Sequence, residues 1–586
     1  MLTQIYKELD GDDAATKFLD SKRYAIIGHL PLSIQLVESY VNSGKLFAAR
    51  EFLGLLREEH AENTYINYIN GLVDKARGLN ASALEFVNRI PEQEQQQFDI
   101  LLLKAELLIE LDKFSDANTI LQELNNQNPE NLKVVNLRGS LALKMNDFAL
   151  SEQLFKQILT QQNDNYLAKY NLAISMVKQN KINQAIHQLK QTDTLNEDHA
   201  PSRVMLSKYL FLRGDVDEAQ QHAEYLSRRD ESYVQGHELL SRIYMKKLQW
   251  LDAFNSTSTL LQDDNLNPSY LADHIRVLNG LDRRQETTRY LSILGSLWGD
   301  SWQNLIQLAQ LHELVAQKDK AAEVLEKAIE LKPNSSRPYL YLTQVYIALS
   351  QHSKANSVLK NTEKLFGRSD VSVTLKGDIA NAENKTKTAL KFYNQALKLN
   401  PASDIALVKL YQLAKSNVGA NKFSQLMLKR LKSDTSKPWH RKLLADHYLN
   451  HGQNDKAIRE YQTLLAIPGL DKDISILNNL ANLHVPNQLE MALDYAFRAY
   501  QIDNKNPVIL DTYGWVLVQL DKKQEALAVL RNAASMDALN PEINYHLGVL
   551  LAQMGRVDDA KFELNKALET KTFPYRKEVQ ALLETL

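Results

Sequence analysis

The sequence predicts an all-α, superhelical solenoid of about 16 to 17 helix-turn-helix repeats of 34 residues, closed by a C-terminal capping helix. Three observations predict it. Small residues recur on a lattice of 34, a large residue follows at a fixed distance within each repeat, and prolines collect at the junctions between repeats.

The lattice runs through Gly71, Ala105, Gly139, Ala173, Ser207, Ser241, Ala309, Gly377 and Ala445 without a gap. Twelve residues beyond each lattice point lies a second small residue, in a series that begins at Ala15 and ends at Ala492, Ala526 and Ala560. Only Ser151, Thr287 and Phe423 interrupt it, so 14 of 17 positions are alanine. Chance placement at roughly one residue in ten would give about two. Two antiparallel helices approach to about 8 to 10 Å only where the residues at their crossing are small, and each repeat supplies one from either helix. Four residues past the alanine stands a large residue (Leu53, Leu121, Phe155, Leu189, Leu325, Tyr393, Tyr461, Leu530, Leu564), its neighbour on the same helical face.

Proline is an independent test, because it fits the first turn of a helix or a connection but not a helix interior. With repeats starting at 30, 64, 98 and onward, 12 of the 14 prolines fall at positions 31 to 34 or 1 to 3. Pro486 falls in the turn between the two helices of a repeat, which leaves Pro91 near the end of a helix. The two extra residues around Ile467-Pro468-Gly469, and the one missing near Pro486, also respect the turns.

The reading divides the chain into a partial first repeat (1–29), a helical array (30–267), a degenerate repeat (268–301), an array (302–403), a second degenerate repeat (404–437), an array (438–572) and a capping helix (573–586). Counting back from Ala15 places the first repeat's start upstream of Met1, so the chain reads as a fragment, or as one lacking an upstream repeat. In the degenerate repeats, Ile275 and Thr287, then Tyr411 and Phe423, replace small residues. Their bulk is expected to force the paired helices apart and alter the superhelical pitch locally.

Composition narrows the function. Lys plus Arg total 69 against 71 Asp plus Glu, which gives no general attraction to nucleic acid or anionic membranes. The absence of cysteine excludes disulfides, thiolate metal sites and cysteine nucleophiles. The N-terminal stretch MLTQIYKELDGDD has neither the basic start nor the apolar run of a signal peptide. No stretch is left over for a catalytic domain, and no phosphate-loop, dinucleotide, His-Glu-x-x-His or EF-hand motif occurs, so neither an enzyme nor a cofactor is expected. His447 and His451, spaced i, i+4 with His440 nearby, could form a metal face, but they read better as solvated residues near a helix end. Asp10, Asp12 and Asp13 read as turn and N-cap residues.

The pattern resembles the tetratricopeptide repeat (TPR), which has small residues at positions 8, 20 and 27, a large one at 24 and proline at 32. The segment WQNLIQLAQLHELVAQKDKAAEVLEKAIELKPNS matches best, with Leu308, Ala309, Ala321, Leu325, Ala328 and Pro333 in their slots. Pentatricopeptide arrays repeat every 35 residues and would lose register over this length. In TPR proteins the first helix of each pair lines a concave groove through positions 2, 5, 9 and 12. The resemblance therefore implies a partner-binding lining of Tyr68, Tyr170, Glu238, Arg242, Lys442, Asp446, Asn478, Asn482, Asp511, Trp515 and Tyr545. Such a mixed aromatic and polar surface suits an extended peptide segment or another protein. For Trp515, groove contact and packing against the neighbouring helix both remain open. Adaptors that grip a carboxyl terminus pair lysine at position 5 with asparagine at 9; here Lys442 is followed by Asp446, and Asn482 is preceded by Asn478.

The C-terminal stretch also resembles TPR lipoproteins of bacterial exosortase (PEP-CTERM) and exopolysaccharide export systems. The matching residues are Asn478-Asn479-Leu480-Ala481, Asn506-Pro507, Asp511-Thr512-Tyr513-Gly514-Trp515, and Asn540-Pro541 leading to Tyr545-His546-Leu547. That resemblance implies a noncatalytic scaffold, periplasmic or associated with the outer membrane of a Gram-negative bacterium. Membrane contact would come only through a lipid anchor, whose cysteine this chain lacks. The alternative expectation is a cytoplasmic TPR protein that assembles or regulates a client.

Overall fold

The computed structural model describes residues 16–60, 63, 65–230, 233–432 and 437–586. Among these residues every regular element is a helix, and the helices come in antiparallel pairs. The chain divides into two compact units, one ending at Leu297 and the other starting at Trp298. Each is a stack of such pairs.

Within a repeat the two small residues do different work. Those twelve residues past the lattice, from Ala49 to Ala560, are fully buried between the helices. The lattice residue instead faces the large residue sixteen positions later. A Cβ on Gly139 would stand 2.9 Å from the Phe155 ring, one on Gly377 2.3 Å from Tyr393, and one on Gly514 or Gly548 2.6 or 2.7 Å from Leu530 or Leu564. Close approach of helix to side chain is thus what the lattice selects. Serine serves at the same places by bonding across the crossing. Ser151 Oγ donates to Gly139 O at 3.0 Å, and Ser207 Oγ donates to Ala219 O at 2.7 Å.

The best-matching repeat, Trp302–Leu314 with Lys318–Leu331, shows how a pair is bounded. Ser301 caps the first helix by accepting from Asn304 N, as Asn131, Asn165, Asn267, Asn506 and Asn540 do for theirs. The turn that follows places one residue in the left-handed region, here Ala316 at φ 60°. The same feature recurs every 34 residues at Gly44, Gly78, Asp112, Asn146, Asn180, Gly214, Leu248, Asp282, Ala316, Ser350 and Asn384. Glycine, asparagine and aspartate dominate because they tolerate that conformation.

One expectation changes. Pro91 does not sit in a helix: the helix before it ends at Asn88, and Pro91 is the N-cap of a short extra turn, Glu92–Gln95. A shortened second helix of 9 residues is how this repeat accommodates the proline. The degenerate repeats comprise Pro268–Gly280 with Arg284–Trp298 and Asp404–Lys415 with Ala420–Arg430. Ile275 and Thr287 are buried, and Thr287 Oγ1 is satisfied by Arg283 O at 2.9 Å. In the second, Tyr411 and Phe423 pack ring against ring at 5.6 Å, and the helices shorten to 12 and 11 residues.

The irregular segments lie between helices, Ile467 to Gly469 before Ile474–His484 and Pro486 after it. Helix Arg576–Thr585 caps the last repeat. Its buried Val579 joins Leu564, Ala567 and Phe573, while Arg576 donates to the carbonyls of Leu568 and Thr570 at the preceding helix end. Asp10, Asp12, Asp13 and Ala15 lie outside the described residues.

Candidate functional site

Successive first helices are neighbours within each unit, and their side chains reach one another at separations of about one repeat. In the first unit, Tyr68 is 7% exposed and packs 5.0 Å from Tyr65; burial pushes its phenol up. It belongs to the packing and not to an open lining, a correction to its expected place. Tyr170 is half-buried, edge-on to His199 at 4.9 Å, and burial pushes that imidazole down. Glu238 accepts from Tyr270 Oη at 2.9 Å, and burial together with this carboxylate pushes the Tyr270 phenol up to about 12. Arg242 is exposed and stands 3.9 Å from Asp273, which also holds Arg276 at 2.6 Å.

In the second unit, Lys442 reaches Asp473 at 3.4 Å and donates to Ser475. Asp446 accepts from the Tyr461 hydroxyl, and burial raises its carboxyl. Asn478 is half-buried with an unpartnered Oδ1, while Asn482 is exposed, its Nδ2 3.4 Å from Thr512 Oγ1.

Three of the expected residues come together at the end of the chain. Asp511 and Trp515 lie on Pro507–Gln519, and Tyr545 lies on Pro541–Gln553. Asp511 is buried and accepts from His546 Nδ1 at 2.8 and 3.0 Å, so its carboxylate is engaged inside the protein and not open to a partner. That corrects its assignment as groove lining. His546 in turn stacks on Trp515, ring centroids 4.2 Å apart and planes 17° apart. Trp515 is half-buried, so packing and exposure both apply. Tyr545 stacks on Tyr575 at 5.4 Å with planes 10° apart, and Phe573 closes on both. His546 and Tyr575 were missed by the sequence reading. The signal was there: position 6 of one repeat falls beside position 5 of the repeat before, a separation of 35 residues.

The histidines near 440–451 are not solvated. His440 and His447 are buried, with Phe423 5.0 Å from the His447 ring and His451 4.3 Å from it. The degenerate repeat's Phe423 packs against His447, which the helical spacing alone does not reveal. Among the described residues no group of three or more potential ligands could hold a metal ion. No helix among them is long and apolar enough to cross a membrane.

A stack of antiparallel helix pairs with polar and aromatic ties between neighbouring first helices defines a helical-repeat protein. Models of the tetratricopeptide repeat match residues 303–335, 372–403 and 517–585. TPR domains in general mediate protein–protein interaction. The chain is similar to the TPR repeat-containing protein MJ1428 of Methanocaldococcus jannaschii, 21% identical over 539 residues, which are 89% of this chain and 77% of that protein. Among solved structures, it is similar to a chain from Naa15/Naa10 bound to HypK-THB, with 14% identity, coverage of 94% and 99% of the two chains and a TM-score of 0.37. It is also similar to yeast Tom70, with 15% identity, coverage of 72% and 96% and a TM-score of 0.35.

Proposed function

We propose that this chain is a noncatalytic scaffold that holds other proteins or extended peptide segments along its first helices. The observation that carries this reading is the aromatic constellation of Trp515, Tyr545, His546 and Tyr575. Large aromatic side chains held in place by stacking and by a buried carboxylate are suited to act as anchors, because little side-chain entropy remains to be lost on binding. Asn482, exposed one repeat earlier, offers both a donor and an acceptor to a peptide main chain.

The finer reading is a scaffold for bacterial surface-protein sorting or exopolysaccharide export, in the periplasm or at the outer membrane of a Gram-negative cell. It is supported by the likeness of residues 478–481, 506–507, 511–515, 540–541 and 545–547 to TPR lipoproteins of those systems. A photoreactive residue at position 515, cross-linked in the native cell and followed by fractionation, tests both readings. Capture of an envelope export or sorting component is the expected result. Capture of a cytosolic client would overturn the pathway while keeping the scaffold. Capture at other first-helix positions but never at 515 would overturn the anchor.

A further inference from the structure

The junction between the repeats starting at 30 and 64 contains a cleft of about 290 Å³, lined by Arg50, Arg57, Asn70, Arg77, Ser82 and Phe86 among others. It lies between helices Leu46–Glu59, Tyr65–Ala76 and Asn80–Asn88. Its one lining carboxylate, Asp74, is already taken by Arg77 at 3.1 Å and by Ser82 Oγ at 2.7 Å. Arg57 donates to the neutral carboxamide of Asn70 and lies over the Phe86 ring at 5.6 Å. Arg89 takes another approach to Phe86 at 5.0 Å. Arg50, Arg57 and Arg89 have no ion-pair partner among the described residues.

Three other junctions are built differently, although at a fourth Arg138 likewise donates to the carboxamide of Asn125. Lys376 meets Glu363 at 2.6 Å, Arg203 meets Asp193 at 2.6 Å, and Arg441 meets Glu460, each cation facing a carboxylate from the helix packed against it. At this junction the corresponding place opposite Arg57 is Asn70, so positive charge gathers without an internal counter-ion. Guanidinium groups present planar paired donors that match phosphoryl oxygens.

We propose that this cleft binds a multiply charged oxyanion of the phosphate-monoester class. The source is either free phosphate or a phosphorylated side chain of a partner, and the chemistry of the cleft is the same for both. The inference is independent of the aromatic constellation at the other end of the chain.

The test is calorimetric titration of the full chain with inorganic phosphate, with a phosphoserine peptide and with the same peptide unphosphorylated. Saturable binding is expected, weakened at least 10-fold in R50Q/R57Q. N70D is the second variant, since a carboxylate opposite Arg57 recreates the tie seen at Lys376 and should weaken binding by a similar factor; circular dichroism checks its fold, because Asn70 Nδ2 also donates to Ile66 O at 2.7 Å. Phosphopeptide binding at least 10-fold tighter than both inorganic phosphate and the unphosphorylated peptide would identify a phosphorylated partner. Equal binding of inorganic phosphate and the phosphopeptide would identify the free anion. Saturation by neither probe, or binding unchanged in both variants, would overturn the proposal.

Discussion

Replacing Gly377 with alanine should destabilise its repeat, whereas the same change at Gly71 should not. Both glycines occupy the same lattice position. At Gly377 the new methyl would fall 2.3 Å from Tyr393 Cε1 and 2.6 Å from Cδ1. That ring is 1% exposed, and its hydroxyl donates to Asp378 Oδ1 at 2.8 Å, so it cannot swing aside freely. Overpacking of this kind costs about 1 to 3 kcal/mol. The gain in helix propensity from glycine to alanine returns about 1 kcal/mol, leaving a net loss of up to about 2 kcal/mol, at the upper end because the overlap is severe. At Gly71 the methyl would lie 3.0 Å from a methyl of Val87, a far milder overlap than at Gly377, so the gain in helix propensity should offset it and the change should be about neutral. The pair Ala445 and Tyr461 shows that alanine can face tyrosine where the helices are built for it, so the loss at 377 measures the displacement of this particular pair. Repeat stacks open locally and are not two-state as whole chains. The assay is therefore native-state hydrogen exchange over Asp370–Ala382 and Thr386–Leu399. G377A/Y393L, which copies Ala309 and Leu325, should recover most of the loss. Equal protection in G377A and wild type would refute the reasoning.

Leu248 is 68% exposed at φ 59°, a conformation that costs a leucine about 1 to 2 kcal/mol; L248G should raise the exchange protection of Val234–Lys246 by about 0.5 to 1 kcal/mol after the unfolded-state entropy is counted, and lowered protection would contradict the strain. Burial holds the His447 imidazole down at about 4, so the unfolded chain takes up more protons between pH 6.5 and 4. Stability of the 404–437 and 438–471 repeats should accordingly be full above pH 6.5 and fall towards pH 4; H447Q should flatten that fall, and an unchanged slope would sink the assignment. D511A should leave His546 Nδ1 without its acceptor and destabilise the last repeats by about 1 to 3 kcal/mol, read as a shifted Trp515 indole NMR signal and lower protection of Pro541–Gln553; an unshifted signal would mean that Asp511 does not hold the stack.

The periodic parts of the fold were legible because each repeat imposes the same packing problem. The alanines from 49 to 560 lie on the helix crossing itself, where size alone decides, and size is written directly in the sequence. Proline positions were legible for a similar local reason, except at Pro91, where an extra turn moved the helix end. The left-handed residue of each turn was equally readable, since Gly44, Gly78, Asp112, Asn146 and Asn180 stand 34 apart, but attention to small residues passed over a position that selects backbone conformation and not size.

The candidate site was harder to read because position within a repeat does not settle exposure. Tyr68 and Tyr545 share position 5, yet one is buried beside Tyr65 and the other stacks on Tyr575 from the capping segment. Asp511 shares that position too and is buried because the following repeat supplies His546. What decides each case is the identity of residues some 30 to 35 positions away on the next first helix: Tyr270 for Glu238, Asp273 for Arg242, Asp473 and Ser475 for Lys442. Charge follows the same rule at the repeat junctions, where Lys376 is neutralised by Glu363 and Arg57 is left facing an amide. The unit that carries recognition in such a stack is therefore the pair of adjacent repeats. A substitution at one groove position should be judged by the residue it faces in the next repeat before it is judged by its own type.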